Sequence, residues 1–97
     1  MNSIKPKTLI ELLKTKPLNI IDIRETYELQ TGKIPTAKHI NKNLLLNSPE
    51  SYLEKEKTYY IYCNYGQTSS RLVDLLNKKG YHTVNIIGGY NNYLLEK

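Results

Sequence analysis

Thr58-Tyr59-Tyr60-Ile61-Tyr62-Cys63, followed by Asn64-Tyr65-Gly66-Gln67-Thr68-Ser69, is the stretch on which the fold turns. The run up to Tyr62 is aromatic and β-branched with no breaker, which predicts a buried strand ending at Cys63. Asn64 to Thr68 is polar and contains Gly66, the composition of a loop. From Ser69 to Lys79, the side chains of Leu72, Leu75 and Leu76 and the stem of Lys79 share one face. Lys78 and Lys79 complement the last turn, and Gly80 ends it, so this segment is predicted to be a helix. Strand, tight loop and helix thus meet at the chain's single cysteine.

Working outward, Leu18 to Ile23 is too short and too β-branched for a helix and reads as another buried strand. Arg24 to Thr31 is helical in propensity, with Gly32 placed to end it. Ala37 to Ile40 reads as a brief strand, and Ser48-Pro49 marks a helix start because proline fits the first helical turn. Near the N-terminus, Thr8 and Glu11 have capping-box spacing, which places a short helix over Thr8 to Leu13. His82 to Ile87 forms the last predicted strand and leads through Gly88-Gly89 to a helical stretch from Tyr90. Strands alternating with helices imply crossover connections, hence an α/β fold with a mainly parallel central sheet and helices on both faces. Ligands in such sheets bind beyond the carboxyl ends of strands, where Cys63 lies.

The 97 residues fit one domain, 1–97, since domains run from about 50 to 200 residues. Apolar residues make up 39% of the chain, and none of their runs approaches the ~20 needed for a membrane span. The N-terminus lacks the apolar block of a secretion signal, so a cytoplasmic location is expected, with no membrane partner. One cysteine forms no intramolecular disulfide, and the two histidines lie far from it in sequence, so neither a metal nor a cofactor is expected. The formal charge is +5, but its twelve Lys are scattered among acidic residues and only two Arg are present. That pattern lacks the clustering needed to track phosphates, which argues against a nucleic-acid partner and suits a small anionic substrate. The oligomeric state is not written in these features.

A lone cysteine is commonly a small buried hydrophobe. Here a polar, Gly-containing turn into a helix follows it, and backbone N–H groups at a helix N-terminus favour thiolate over thiol. Gly66 suits a turn that needs a positive φ or close backbone approach. Thioredoxin-type exchange is excluded within one chain because it needs a second cysteine. Phosphatase and arsenate reductase loops carry Arg six positions after the cysteine. That position is Ser69 here, and Arg71 comes two residues later. Papain-type or caspase-type hydrolysis needs a histidine base, and neither His39 nor His82 sits in such a motif.

Cys63-Asn64-Tyr65-Gly66-Gln67-Thr68-Ser69 resembles the active-site loop of the rhodanese family, Cys-x-x-Gly-x-Arg/Ser-Ser. Upstream, Asp22-Ile23-Arg24-Glu25, Tyr27-Glu28 and Gly32-Lys33-Ile34-Pro35-Thr36-Ala37 are similar to the family's Asp-x-Arg, Glu-Tyr and Gly-His-Ile-Pro-Gly-Ala signatures. Downstream, Gly80-Tyr81 and Gly88-Gly89 through Tyr93 are similar to its Gly-Tyr and Gly-Gly-x-x-x-Trp segments. Lys33, Thr36 and Tyr93 replace the usual His, Gly and Trp, and Thr68 stands where many members carry Arg.

The resemblance implies a sulfurtransferase that moves a sulfane sulfur from thiosulfate or a persulfide donor to a thiol or cyanide through a Cys63 persulfide. Cys63 would be the nucleophile, and Asn64, Tyr65, Gly66, Gln67, Thr68 and Ser69 would bind substrate. Backbone N–H groups of that loop would hold the persulfide, and the Thr68 and Ser69 hydroxyls would add donors or cap the helix. Tyr65 would form part of the pocket wall. Asp22 and Arg24 would either line the pocket or tie loops together. The expected partner is a small anionic sulfur donor or a persulfide on another protein. The alternative is a non-catalytic interaction or sensor module of the same family.

Overall fold

The computed structural model describes residues 2–97. Five strands form one sheet in the order β1-β5-β4-β2-β3, with every neighbouring pair parallel. They are β1 (Ser3–Ile4), β2 (Asn19–Asp22), β3 (Lys38–His39), β4 (Thr58–Tyr62) and β5 (His82–Ile86). Four α-helices connect or flank them: α1 (Pro6–Leu13), α2 (Lys42–Asn47), α3 (Gln67–Lys78) and α4 (Gly89–Glu96). Two 3₁₀ helices, Thr26–Thr31 and Pro49–Ser51, complete the described elements. The expected α/β architecture with a parallel sheet is present.

Side chains along a strand alternate between faces, and this divides the core in two. Tyr59, Ile61 and Cys63 pack with Ile21, Leu45, Leu72, Val73 and Leu76, beneath α2 and α3. Tyr62 faces the other way and packs with Ile20, Leu9, Ile86, Tyr90 and Tyr93, beneath α1 and α4. Both sheet faces are therefore buried, as a parallel sheet requires. The central pair β2 and β4 is aligned in register from Asn19–Tyr59 to Asp22–Tyr62, so both strands end at one edge, and the Cys63 loop leaves from there.

Several element boundaries differ from the sequence-based expectation for identifiable reasons. Helix α1 starts at Pro6, not Thr8. Proline takes a first-turn position whose N–H would be unpaired anyway, and Thr8 is already helical and caps nothing. Helix α3 starts at Gln67 and absorbs two residues assigned to the loop. Leu75, placed on the buried face by spacing, is 43% exposed, while Leu72 and Leu76 are buried. Arg24 to Thr31 contains a 3₁₀ helix from Thr26, opened by a Glu25/Glu28 capping box. At Ser48-Pro49 there is a single 3₁₀ turn, and the preceding helix α2 and the two-residue strand β1 were not anticipated. Among the described residues, no helix is long and apolar enough to cross a membrane.

Candidate active site

Cys63 follows the last residue of β4, and three residues separate it from α3. Gly66 turns the chain there with φ +92°, a left-handed conformation that glycine adopts without steric penalty. A Cβ on Gly66 would lie 2.8 Å from the backbone nitrogen of Gly88, so the position also demands the absence of a side chain. The result is convergence on the sulfur: the Gly66 N–H donates to Cys63 Sγ at 3.1 Å and the Ser69 N–H at 3.4 Å. Ser69 Oγ lies 3.3 Å from the same sulfur. Both donors belong to the N-terminal end of α3, whose dipole also favours negative charge.

A second helix end supports the loop from below. The N–H groups of Tyr90 and Asn91, in the first turn of α4, donate to the carbonyls of Cys63 and Asn64 at 2.8 and 3.1 Å. Asn91 Nδ2 adds a 3.2 Å bond to the Asn64 carbonyl. This close seating explains Gly89, because a Cβ there would collide with the Cys63 carbonyl oxygen. Sequence reasoning treated Gly88-Gly89 only as a turn and a family segment. Its glycine pair was the available signal that two backbones approach closely here.

Ser69 is fully buried and donates its hydroxyl to Asn85 Oδ1 at 2.5 Å. Asn85, on β5, was not singled out from the sequence. Asp22 and Arg24 resolve into partly different roles. Arg24 grips Asp22 through Nε at 3.0 Å and Nη2 at 2.7 Å, and also donates to the Gly32 carbonyl at 2.7 Å. Its guanidinium stands 4.2 Å from the Tyr90 ring centre, a cation–π distance. Tyr62 donates to Asp22 Oδ2 at 2.6 Å and accepts from the Ile34 N–H at 3.1 Å. Asp22 therefore organises the carboxyl ends of β2 and β4, while Arg24 also touches the pocket. Burial opposes the Arg24 charge, but the hydrogen bond and attraction of Asp22 outweigh it and raise its pKa above the ordinary arginine value. Burial, then the hydrogen bond to Asp22, pushes the Tyr62 phenol upward, so it stays neutral.

Above the sulfur is a cavity of about 240 Å³. Cys63, Asn64, Tyr65, Gln67 and Thr68 line it, with Tyr65 73% exposed at the rim. Gly66 and Ser69 contribute from behind, through the bonds to Sγ. Arg24 also lines the cavity, whereas Asp22 is sealed beneath it. Three further charged residues line it: Glu25 and Glu28, which fall within the family-like signatures but were given no site role, and Lys42, which was not singled out from the sequence. Glu28 accepts hydrogen bonds from Asn64 Nδ2 and from the Glu25 N–H. Lys42 reaches the pocket from α2, a segment distant in sequence from Cys63, so local spacing carried no sign of it.

The assembled site can hold an anionic sulfur at Cys63 and admit a small molecule to it. A family model described as Rhodanese-like domain matches residues 5–96. Over 72 residues, the chain is 38% identical to the Bacillus subtilis protein named "Putative sulfurtransferase YtwF", covering 74% of this chain and 69% of that protein. It is 29% identical to "Thiosulfate sulfurtransferase GlpE" of Coxiella burnetii, over 86% of this chain and 78% of that one. The crystal structure of SSP1007 from Staphylococcus saprophyticus superposes with a TM-score of 0.87 at 35% identity, covering 96% of this chain and 93% of the other.

Proposed function

Because the chain belongs to the rhodanese-like domain family, and the two relatives above carry sulfurtransferase names, we propose that it transfers a sulfane sulfur through a Cys63 persulfide. In the first half-reaction the Cys63 thiolate attacks the outer sulfur of thiosulfate or of a persulfide. The donor's S–S bond breaks, sulfite or a thiolate leaves with the electron pair, and a Sγ–S bond forms. In the second, a thiol or cyanide attacks the outer sulfur and the Cys63 thiolate departs. Electrons balance across the two displacements without an external oxidant or reductant.

The observation that carries this reading is the pair of N–H donors, Gly66 and Ser69, converging on Sγ at the foot of the cavity. A donor pair fixed by a helix start stabilises negative charge without reorganising during the reaction, the same physics as an oxyanion hole. Intact-mass measurement after treatment with thiosulfate or a low-molecular-weight persulfide tests it. Wild type should gain one sulfur, which cyanide or a thiol removes, and Cys63→Ser should gain none while keeping its circular-dichroism spectrum and melting cooperatively. No added sulfur on wild type with either donor overturns the proposal.

A further inference from the structure

We propose that Lys42 is the cation that recruits anionic substrates to Cys63, an inference that builds on the sulfur-transfer reading and bears on its donor class. Four charged side chains line the cavity: Arg24, Glu25, Glu28 and Lys42. The Arg24 charge is committed, since it is held bidentately by fully buried Asp22 and covered by the Tyr90 ring. Glu25 and Glu28 remain as two negative charges at the rim, bound to neutral donors that leave their charge in place. Thr68, in the first turn of α3, also lines the cavity and is neutral.

Lys42 takes part in neither ion pair found among the described residues. It is half-buried rather than free in solvent, and it opens α2, where Asn41 Oδ1 accepts from the Asn43 and Leu44 N–H groups at 2.8 and 3.2 Å. That cap fixes the first turn of the helix, and with it the backbone of Lys42, which lines the pocket. Together with Thr68, Lys42 also lines the adjoining groove that contains Arg71, so it stands where the two recesses meet. Arg71 does not line the Cys63 cavity. Removing the Lys42 charge would leave a dianion facing two carboxylates with only short-range backbone dipoles to attract it. With Lys42 present, an anion finds a positive charge at the entrance. Lys42 thereby sets how well thiosulfate competes with donors of lower charge.

The test compares wild type, Lys42→Gln and Lys42→Arg. Second-order rates of Cys63 alkylation are measured with anionic iodoacetate and neutral iodoacetamide, and sulfur loading from thiosulfate is followed by mass. In Lys42→Gln the iodoacetate-to-iodoacetamide ratio should fall roughly threefold to tenfold, with thiosulfate loading falling alongside it and iodoacetamide itself little changed. Lys42→Arg should restore the ratio, and added salt should shrink the difference because the pocket mouth is open. A ratio unchanged in Lys42→Gln overturns the role of Lys42, whatever thiosulfate does. A ratio that falls in a protein whose wild type never gains sulfur supports Lys42 and overturns the sulfur-transfer reading instead.

Discussion

Ser69 Oγ lies 2.5 Å from Asn85 Oδ1, while the Gly66 carbonyl and Cys63 Sγ each stand 3.3 Å away, so Asn85 is the nearest acceptor for its single proton. A hydroxyl has one proton to give. The hydroxyl therefore braces the start of α3 against β5, and the Ser69 backbone N–H is the group that serves the sulfur. Sequence reasoning allowed the hydroxyl either role, as an added donor or as a helix cap.

Ser69→Ala should accordingly cost about 1 to 3 kcal/mol of stability, because buried Asn85 Oδ1 loses its donor, read as a lower midpoint in urea. Cys63 alkylation by iodoacetamide at neutral pH should stay within about threefold of wild type. A loss of tenfold or more, or about 1.4 kcal/mol, would show that the hydroxyl reorients to donate to the sulfur anion.

Thr36 is, among the described residues, the one non-glycine position with positive φ, at 70°. The left-handed region crowds a β-branched side chain, at a cost of about 1 to 2 kcal/mol, while glycine loses somewhat more entropy on folding. Thr36 is exposed and forms no part of the Cys63 cavity. Thr36→Gly should raise unfolding stability by roughly 0.5 to 1 kcal/mol and leave Cys63 reactivity alone. A destabilised variant would mean that the threonine side chain contributes more than its backbone strain costs.

The parts of the molecule that were legible in the sequence are those whose signal is local. Strand β4, the glycine turn and the stop of α3 at Gly80 are each set by neighbours a few residues away, and so the Cys63, Gly66 and Ser69 constellation could be read directly. Strand β1 has only two residues and is a strand because Ser3 and Ile4 pair with Asn85 and Ile86, far along the chain. Helix α2 contains Leu44-Leu45-Leu46, a continuous apolar run with no helical period. Its start is marked only by the Asn41 cap. Lys42 and Asn85 escaped for the same reason: parallel crossovers bring them to the Cys63 site, and no spacing rule spans a crossover.

Tyr62 couples the site's foundations to pH. It is fully buried, donates to Asp22 and accepts from the Ile34 N–H, so Tyr62→Phe leaves one acceptor short of a donor and one buried N–H unpaired. Near neutral pH that should cost about 1 to 3 kcal/mol. Burial first, and the Asp22 hydrogen bond second, raise the phenol's pKa in the folded protein above the ordinary value of about 10. The unfolded chain therefore releases this proton at lower pH than the folded one, and binds fewer protons once the pH passes about 10. The stabilisation Tyr62 provides is complete below that pH and is lost above it, at up to about 1.4 kcal/mol per pH unit. Urea midpoints of wild type and Tyr62→Phe, measured from pH 8 to 11.5, should run parallel at first and then converge above pH 10. The two proteins differ only at this one side chain, so every contribution they share drops out of the difference. A gap that stays constant to pH 11.5 would show that Tyr62 ionises as readily in the folded protein as in the unfolded chain.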